Sequence, residues 1–332
     1  MSNDLALALS PHVVPPPPLA TLAPAAQGKY IEAGLQGSTN TERSYQSDLK
    51  TFTAYCTEHH LVSLPADVAT IAHYVTHLAD LGRKLSTIKH HLAAIHKLHQ
   101  LRGHQSVVST DQIELLLKGI ARLKGKRQKQ APAFTRDELR SAINRLDLAT
   151  PLGLRDRALL LLGFFGAFRR SELRALDLEQ LEFSREHLLL HLGKSKTNQF
   201  GEAETKAVFY SSDYRYCPIR AVQDWIERLG RTTGPLFVSM RRVPGQAAVA
   251  SSARLSEVSI NEIVKEHLGY LRTGKHCTAH SLRVSFVTVN VQLGKSNKAI
   301  RTQTGQKTDK MIDLYTRIND VSAFNAAQNM GF

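Results

Sequence analysis

Along the first third of the chain, apolar side chains recur at three- and four-residue spacing in four successive stretches, divided by short polar or glycine-bearing breaks. Such recurrence is the mark of a helix with one buried stripe. In the first stretch, Thr41 to His59, the residues Leu49, Phe52, Tyr55 and Cys56 share one side, with Glu42 and Arg43 in the opening turn. Pro65 opens the second, where Val68, Ile71, Val75 and Leu78 keep helical spacing and Gly82 stops the run. The third spans Leu85 to Leu101 and turns Ile88, Leu92, Ile95 and Leu98 inward. Ser109-Thr110-Asp111 opens the fourth, which places Ile113, Leu116, Leu117, Ile120 and Leu123 on its inner face. Four helices on short loops predict a compact helical domain over residues 29–124.

From Phe134 the pattern changes. Thr135-Arg136-Asp137-Glu138 is a helix opening, and helices are expected at about 135–146 and 154–166. The second of these, Asp156 to Phe165, is apolar on every side from Ala158 onward and so reads as a buried helix. Gly166-Ala167 break it before Phe168-Arg169-Arg170-Ser171-Glu172-Leu173 starts the next, which displays an arginine at a helix junction. Leu188 to Leu192 reads as a strand, Gly193-Lys194-Ser195-Lys196-Thr197-Asn198 as a turn and Ala207 to Tyr210 as the returning strand, within a small three-stranded sheet of about 181–210. Pro218 opens a helix ending at Leu229, followed by Leu236-Phe237-Val238, a helix near 258–272 and three or four more from Thr278 to Arg317. The expected fold class is mainly α with a small antiparallel β-sheet, because the strands are too few and too locally paired for an alternating parallel fold.

Composition narrows the partner. With 43 lysines and arginines against 29 acids the 332-residue chain carries a formal charge of +14, which points to a polyanion, with nucleic acid ahead of an acidic membrane surface. No apolar run reaches spanning length, and the N-terminus has no signal-peptide pattern, so a soluble cytoplasmic protein is expected. Cys56, Cys217 and Cys277 are odd in number and far apart, which indicates neither a disulfide framework nor a zinc site. Residues 1–28, with Pro15-Pro16-Pro17-Pro18, have the composition of a disordered tail. Between Lys118 and Arg136 stand seven basic residues and no acid, and 125–133 has the composition of a basic linker that could track phosphates. The third helix carries Lys89, His90, His91, His96, Lys97 and His99, which the pattern assigns to its polar faces, as a solvated or phosphate-facing surface and not a metal site. Neither G-x-x-x-x-G-K-[ST] nor G-x-G-x-x-G occurs, which argues against a reaction driven by a nucleoside triphosphate.

Candidate chemistry gathers late in the chain. His280 and Arg283 stand three residues apart at the head of an apolar-periodic segment and so would share a helix face; an imidazole beside a guanidinium fork suits an anionic tetrahedral group. Further on come Gly305-Gln306 and, ten residues past the glycine, Tyr315.

Taken in order, R-R-S-E-L at 169–173, the hairpin lysine of G-K-S-K-T, H-S-L-R at 280–283, and G-Q followed by L-Y-T-R resemble the tyrosine recombinase (phage integrase) family, over about Phe134 to Arg317. By that resemblance Arg169 is the first catalytic arginine, Lys196 the hairpin lysine, His280 and Arg283 the H-x-x-R pair and Tyr315 the nucleophile. Gln306 stands where the family usually has His or Trp. The spacing from S-E-L favours Arg169, with Arg170 as the off-by-one alternative. An acid at the place of Glu172 supports the first arginine and the histidine in the family; the other reading is a solvent-facing residue of a first helical turn. Tyr210, Tyr214, Tyr216 and Tyr270 are rivals to Tyr315, but only Tyr315 keeps the family's distance from Gly305.

The resemblance further implies an N-terminal core-binding domain that holds DNA, with Arg43, Lys89, Lys97, Lys126, Arg127 and Lys129 as DNA-contact candidates, and a catalytic domain at 134–317. It implies a double-stranded DNA partner with inverted-repeat core sites, a homo-tetramer on paired sites linked through the tail 318–332, and no cofactor or metal. The activity implied is cutting and rejoining of DNA through a 3′-phosphotyrosyl intermediate. A tyrosine-type topoisomerase and a non-enzymatic DNA-binding relative are the alternatives.

Overall fold

The computed structural model describes residues 39–125, 131–193, 204–241, 248–269, 276–306, 308, 309 and 312. The expected N-terminal tail, the linker residues Lys126, Arg127 and Lys129, the hairpin Lys196, Tyr270, Tyr315 and the C-terminal tail lie outside the described residues. The chain divides into two compact units, Met1–Gln128 and Lys129–Phe332.

In the first unit four helices follow one another: α1 (Thr39–Glu58), α2 (Val68–Asp80), α3 (Leu85–Leu101) and α4 (Asp111–Lys124). Asp67 caps α2, its Oδ1 accepting from the Thr70 amide at 2.7 Å. Phe52, Tyr55, Ile71, Tyr74, Leu78, Ile88, Leu92, Ile95 and Ile113 form the core, so the apolar stripes of the sequence meet as expected. Two expectations are corrected. His91 and His99 are buried and do not lie on a polar face. Burial is tolerated because each ring is hydrogen-bonded: His99 Nε2 accepts from the Ala66 amide at 2.9 Å while its Nδ1 donates to the Ile95 carbonyl at 2.8 Å, and His91 meets the Tyr74 hydroxyl at 2.9 Å. Leu123, assigned to the inner face, is 88% exposed. At 100° per residue it lies about 100° from the centre of the stripe that Ile113, Leu117, Ile120 and Ala121 define, in the last turn of its helix.

The second unit contains α5 (Arg136–Asn144), α6 (Pro151–Phe165), α7 (Arg170–Ala175), a 3₁₀ turn (Leu178–Gln180), β1 (Leu181–Phe183), β2 (His187–Leu192), β3 (Glu204–Phe209), α8 (Pro218–Leu229), β4 (Val238–Arg241), β5 (Val249–Arg254), α9 (Glu257–Leu268), α10 (Ala279–Gln292) and α11 (Asn297–Thr304). A reciprocal Thr135–Glu138 capping box starts α5. Helix α6 is the axis: Leu159 to Leu162 are all buried, as expected of a helix apolar on every side, and it packs against α8 and α10. Trp225 on α8 is fully buried and donates Nε1–H to the Leu236 carbonyl at 2.7 Å, which joins that helix to the start of the second hairpin.

The three-stranded sheet is antiparallel in the order β1-β2-β3, with Leu188 opposite Val208 and Leu190 opposite Lys206. A second antiparallel pair, β4-β5, was foreshadowed in the sequence only by Leu236-Phe237-Val238; β5, Val249–Arg254, has weak apolar alternation because most of its side chains stay outside the core. The helix expected to reach 272 ends at Leu268, where Gly269 caps it through its amide on the Lys265 carbonyl.

Candidate active site

The site is built on the sharp turn that ends α6. A side chain at Gly166 would place its Cβ 2.2 Å from Cε2 of Phe168 and 2.9 Å from the Leu162 carbonyl oxygen, so the turn closes only with glycine there. Ala167 follows in the left-handed region at φ +48°. The last carbonyls of a helix have no partner within it; the turn's amides meet those of Leu162, Gly163 and Phe164, and the next three, of Phe165, Gly166 and Ala167, are met by donors from three other elements. Gln303 Nε2 of α11 donates to the Phe165 carbonyl at 2.9 Å, and to the Ala207 carbonyl of β3 at 3.0 Å. Lys206 Nζ of β3 donates to the Gly166 carbonyl at 3.1 Å. An Arg283 guanidinium nitrogen of α10 donates to the Ala167 carbonyl at 2.9 Å.

Beyond the turn, Arg169 takes the N-cap position of α7. Glu172, one turn on, accepts from the Arg169 amide at 3.0 Å, from the Arg169 guanidinium, and from Lys206 Nζ at 3.3 Å. Glu172 is therefore a buried member of the cluster and not a solvent-facing residue. Burial raises its carboxyl pKa, but the Lys206 ammonium and the Arg169 amide and guanidinium together outweigh burial and hold it below the usual value. Lys206 is almost wholly buried, with Nζ 4.7 Å from the Phe168 ring. Burial pushes its pKa down to about 8; Glu172 opposes that shift and Arg283 adds to it.

A Thr278–Ser281 capping box starts α10, and Asn261 of α9 accepts from the Ala279 amide at 3.0 Å, which fixes where the helix begins. From that start Arg283 is buried and His280 is exposed at the rim. His280's pKa is held below its usual value by partial desolvation first, then by the charges of Arg283 and Arg169. His280 and Arg283 are thus near enough to Arg169 to act with it electrostatically, although Arg169 lies far from both in sequence.

Of the adjacent arginines, Arg169 turns into the cluster, whereas Arg170 pairs outward with Glu257 at 2.8 Å. Gly305 ends α11 at φ +64°, so close to β3 that a Cβ there would meet Glu204 Oε1 at 2.6 Å. The next residue, Gln306, accepts at Oε1 from the Thr304 hydroxyl at 3.3 Å, and its backbone carbonyl accepts from Arg301 Nε at 3.3 Å. Its amide NH₂ is a hydrogen-bond donor. Two rival tyrosines are engaged elsewhere: Tyr214 donates to Asp224 at 2.6 Å and Tyr216 to Asn144 at 2.8 Å. Among the DNA-contact candidates of the first unit, Arg43 and Lys89 are exposed and Lys97 is half-buried.

Sequence reasoning missed Lys206 and Gln303. A signal for Lys206 existed: strand side chains alternate, so an inward Val208 requires an inward residue at 206. Gln303 had no such signal, because it bridges two elements more than ninety residues earlier. As a whole the cluster is a desolvated set of guanidinium groups with an imidazole at its edge, a surface suited to an oxyanion whose charge grows during reaction.

Known proteins resemble this chain in sequence and fold. The phage integrase family matches residues 132–321, and the phage integrase N-terminal SAM-like domain matches residues 29–105. An integrase/recombinase xerD homolog of Selenomonas ruminantium is 31% identical over 295 residues, 88% of this chain and 85% of that protein. Tyrosine recombinase XerD of Staphylococcus aureus strain Mu50 is 27% identical over 292 residues, 87% of this chain and 90% of its own. Among solved structures, the XerH site-specific recombinase bound to palindromic difH substrate aligns at a TM-score of 0.56 and 18% identity over 76% of this chain and 69% of that one. A lambda integrase dimer bound to a COC′ core site aligns at 0.55 and 17% identity over 87% of this chain and 93% of that one. With its C-terminal unit and its N-terminal helices both matched, and a relative at 31% identity along most of its length, the chain belongs to the phage integrase family and is a tyrosine recombinase.

Proposed function

We propose that the cluster at the α6–α7 turn is where this recombinase cuts and rejoins DNA, with Tyr315 as nucleophile. The observation that carries the reading is the convergence of Arg169 and Arg283 on one turn, with His280 at the rim and Glu172 pinning Arg169. In-line attack on a phosphodiester puts extra negative charge on the non-bridging oxygens, and preorganised guanidinium groups stabilise that charge more than the ground state. Tyr315 Oη gives its proton to solvent water and forms a bond to phosphorus as the bond from phosphorus to the 5′-oxygen breaks. Lys196 delivers a proton to that departing oxygen. His280 donates a hydrogen bond to a non-bridging oxygen, and the Gln306 NH₂ does the same. The 3′-phosphotyrosyl link keeps the energy of the phosphodiester, so the 5′-hydroxyl of a second strand reseals it without another source of energy.

The substrate is double-stranded DNA with inverted-repeat core sites; the palindromic substrate of the XerH structure and the core site of the lambda integrase structure support that reading. Arg43, Lys89 and Lys97 of the helical domain, with Lys126, Arg127 and Lys129 of the 125–133 linker, hold the phosphate backbone. The catalytic domain is 134–317, and the tail 318–332 links protomers into a tetramer on paired sites. The protein works in the cytoplasm at the nucleoid; among the described residues no helix is long and apolar enough to cross a membrane.

The test is a nicked suicide substrate, on which cleavage cannot be reversed. The parent protein is expected to form a covalent adduct, and Tyr315→Phe to form none while binding DNA as before. An adduct from the Phe variant would transfer the nucleophile's role to another residue.

A further inference from the structure

We propose that Lys206, which no family motif identified in the chain includes, is a positioning residue of this site: it holds the Glu172 carboxylate and the Gly166 carbonyl together and so fixes the direction in which Arg169 is presented. The inference rests on the reading of the cluster as the strand-cleaving site.

Lys206 has the wrong surroundings for a DNA contact or a proton donor. Its side chain is 1% exposed and lies on the inward face of β3 with Val208. The ammonium is committed to two acceptors, Glu172 Oε2 at 3.3 Å and the Gly166 carbonyl at 3.1 Å, above the Phe168 ring. Each acceptor bears on how Arg169 is presented: Gly166 begins the turn before it, and Glu172 of α7 grips both its amide and its guanidinium. Lys206 is thus the tie between the sheet and that turn, as Arg283 is the tie between α10 and the neighbouring Ala167 carbonyl. A buried ammonium is retained only where it is paired and hydrogen-bonded, and an apolar residue would fill the same space among Leu188, Leu190 and Val208 without that demand. Holding Glu172 ionised is the use the geometry gives it. Without Lys206 the carboxylate loses a positive neighbour, and the fork of Arg169 loses the fixed orientation on which bidentate recognition of a phosphate depends.

The charged groups facing Lys206 are Glu172 of α7, Arg283 of α10 and Glu204 of its own strand. Its ammonium therefore loses its proton as pH rises through about 8, which gives a readout that simple packing would not move.

The experiment compares the parent, Lys206→Met, Lys206→Arg and the Lys206→Met/Glu172→Gln double variant in half-site binding and in single-turnover cleavage of the suicide substrate. Lys206→Met is expected to bind within about twofold of the parent and to cleave about 10²-fold more slowly, the loss that follows from misplacing a reacting group. Lys206→Arg is expected to keep most of the rate and to lose any fall in rate near pH 8. The double variant is expected to lose less than the product of the losses in Lys206→Met and Glu172→Gln, because both changes act on Arg169 through one carboxylate. Parental cleavage by Lys206→Met, or equal losses of binding and cleavage, overturns the proposal. Independent of cleavage, the Nζ resonance of Lys206 is expected to titrate near pH 8 in the parent and lower in Glu172→Gln. An unchanged titration means the pair is not formed. A parent that never cleaves, with that titration as expected, instead defeats the reading of the site.

Discussion

The two units of this chain bury polar groups in opposite ways. Among the described residues of the helical unit the buried polar side chains are Thr70, His91 and His99, groups that can be neutral, and the two histidines hydrogen-bond to other segments of the same unit. In the second unit Arg155, Asp156, Arg157, Glu172, Lys206 and Arg283 are all buried; the first five are ion-paired, and Arg283 donates to the Ala167 carbonyl. Taking an ion out of water costs several kcal/mol even after relaxation, so it persists only with dense pairing. One of these networks is an anchor: Arg157 ties Asp224 of α8 at 2.6 Å to the carbonyls of Tyr214 and Arg215. A second joins Arg155, Asp156 and His267, and a third surrounds the turn before Arg169. In the proposed reading, the unit that lies along phosphates keeps its charges on the surface, whereas the unit that stabilises a short-lived charge holds its cations fixed in advance.

The largest expected effect tests that division directly. Arg169→Lys and Arg283→Lys keep the charge but lose the planar fork, and single-turnover cleavage is expected to fall by about 10²-fold or more with little change in binding. Lys89→Ala with Lys97→Ala in the first unit should do the reverse: weaker binding, a salt dependence shallower by about one unit for each phosphate no longer neutralised, and an unchanged cleavage rate once DNA is saturating. Near-parental cleavage in both Arg→Lys variants would refute the role given to the two guanidinium forks.

Acid separates the units by a smaller amount. His91 of the first unit has a pKa held down by burial first, against the opposing charge of Asp48. The unfolded chain therefore takes up a proton there at higher pH than the folded one, and stability declines as pH falls through about 6.5. Glu172 behaves in the other range: its folded pKa is depressed, so its contribution is present above about pH 4.3 and lost as pH falls through the lower folded value. Denaturation monitored unit by unit should show His91→Gln flattening the loss near pH 6 and Glu172→Gln flattening the loss below pH 4. The same slope in parent and variant would remove that residue from the account.

How far each unit was legible in the sequence follows from the same contrast. The four N-terminal helices could be read because their stripes of apolar residues are local, and Leu85 to Leu101 is the observed third helix at both ends. His91 and His99 could not be placed, since what makes their burial tolerable is Tyr74 and the Ala66 amide, residues on other segments. In the second unit, the buried helix, the turn at Gly166 and the H-x-x-R pair were readable from short motifs. The carbonyls of 165, 166 and 167 and their donors at 303, 206 and 283 were not, because that pattern exists only once β3, α10 and α11 close on the turn.

The smallest effect concerns the residue on which helical periodicity failed. Leu123 keeps apolar spacing with Ile120 and Leu116, yet it is 88% exposed while Ile120 on the same helix is 8% exposed. A side chain already in water loses nothing on becoming polar, so Leu123→Gln should leave stability within about 0.5 kcal/mol. Ile120→Ala removes buried methyl groups beside Ile113 and leaves a cavity, for which about 2–5 kcal/mol is the ordinary cost. Urea denaturation of the full chain, followed by signals from the helical unit, measures both. A loss at Leu123 approaching that at Ile120 would mean that this face of α4 is covered in the folded protein, and that the periodic pattern had marked a contact surface after all.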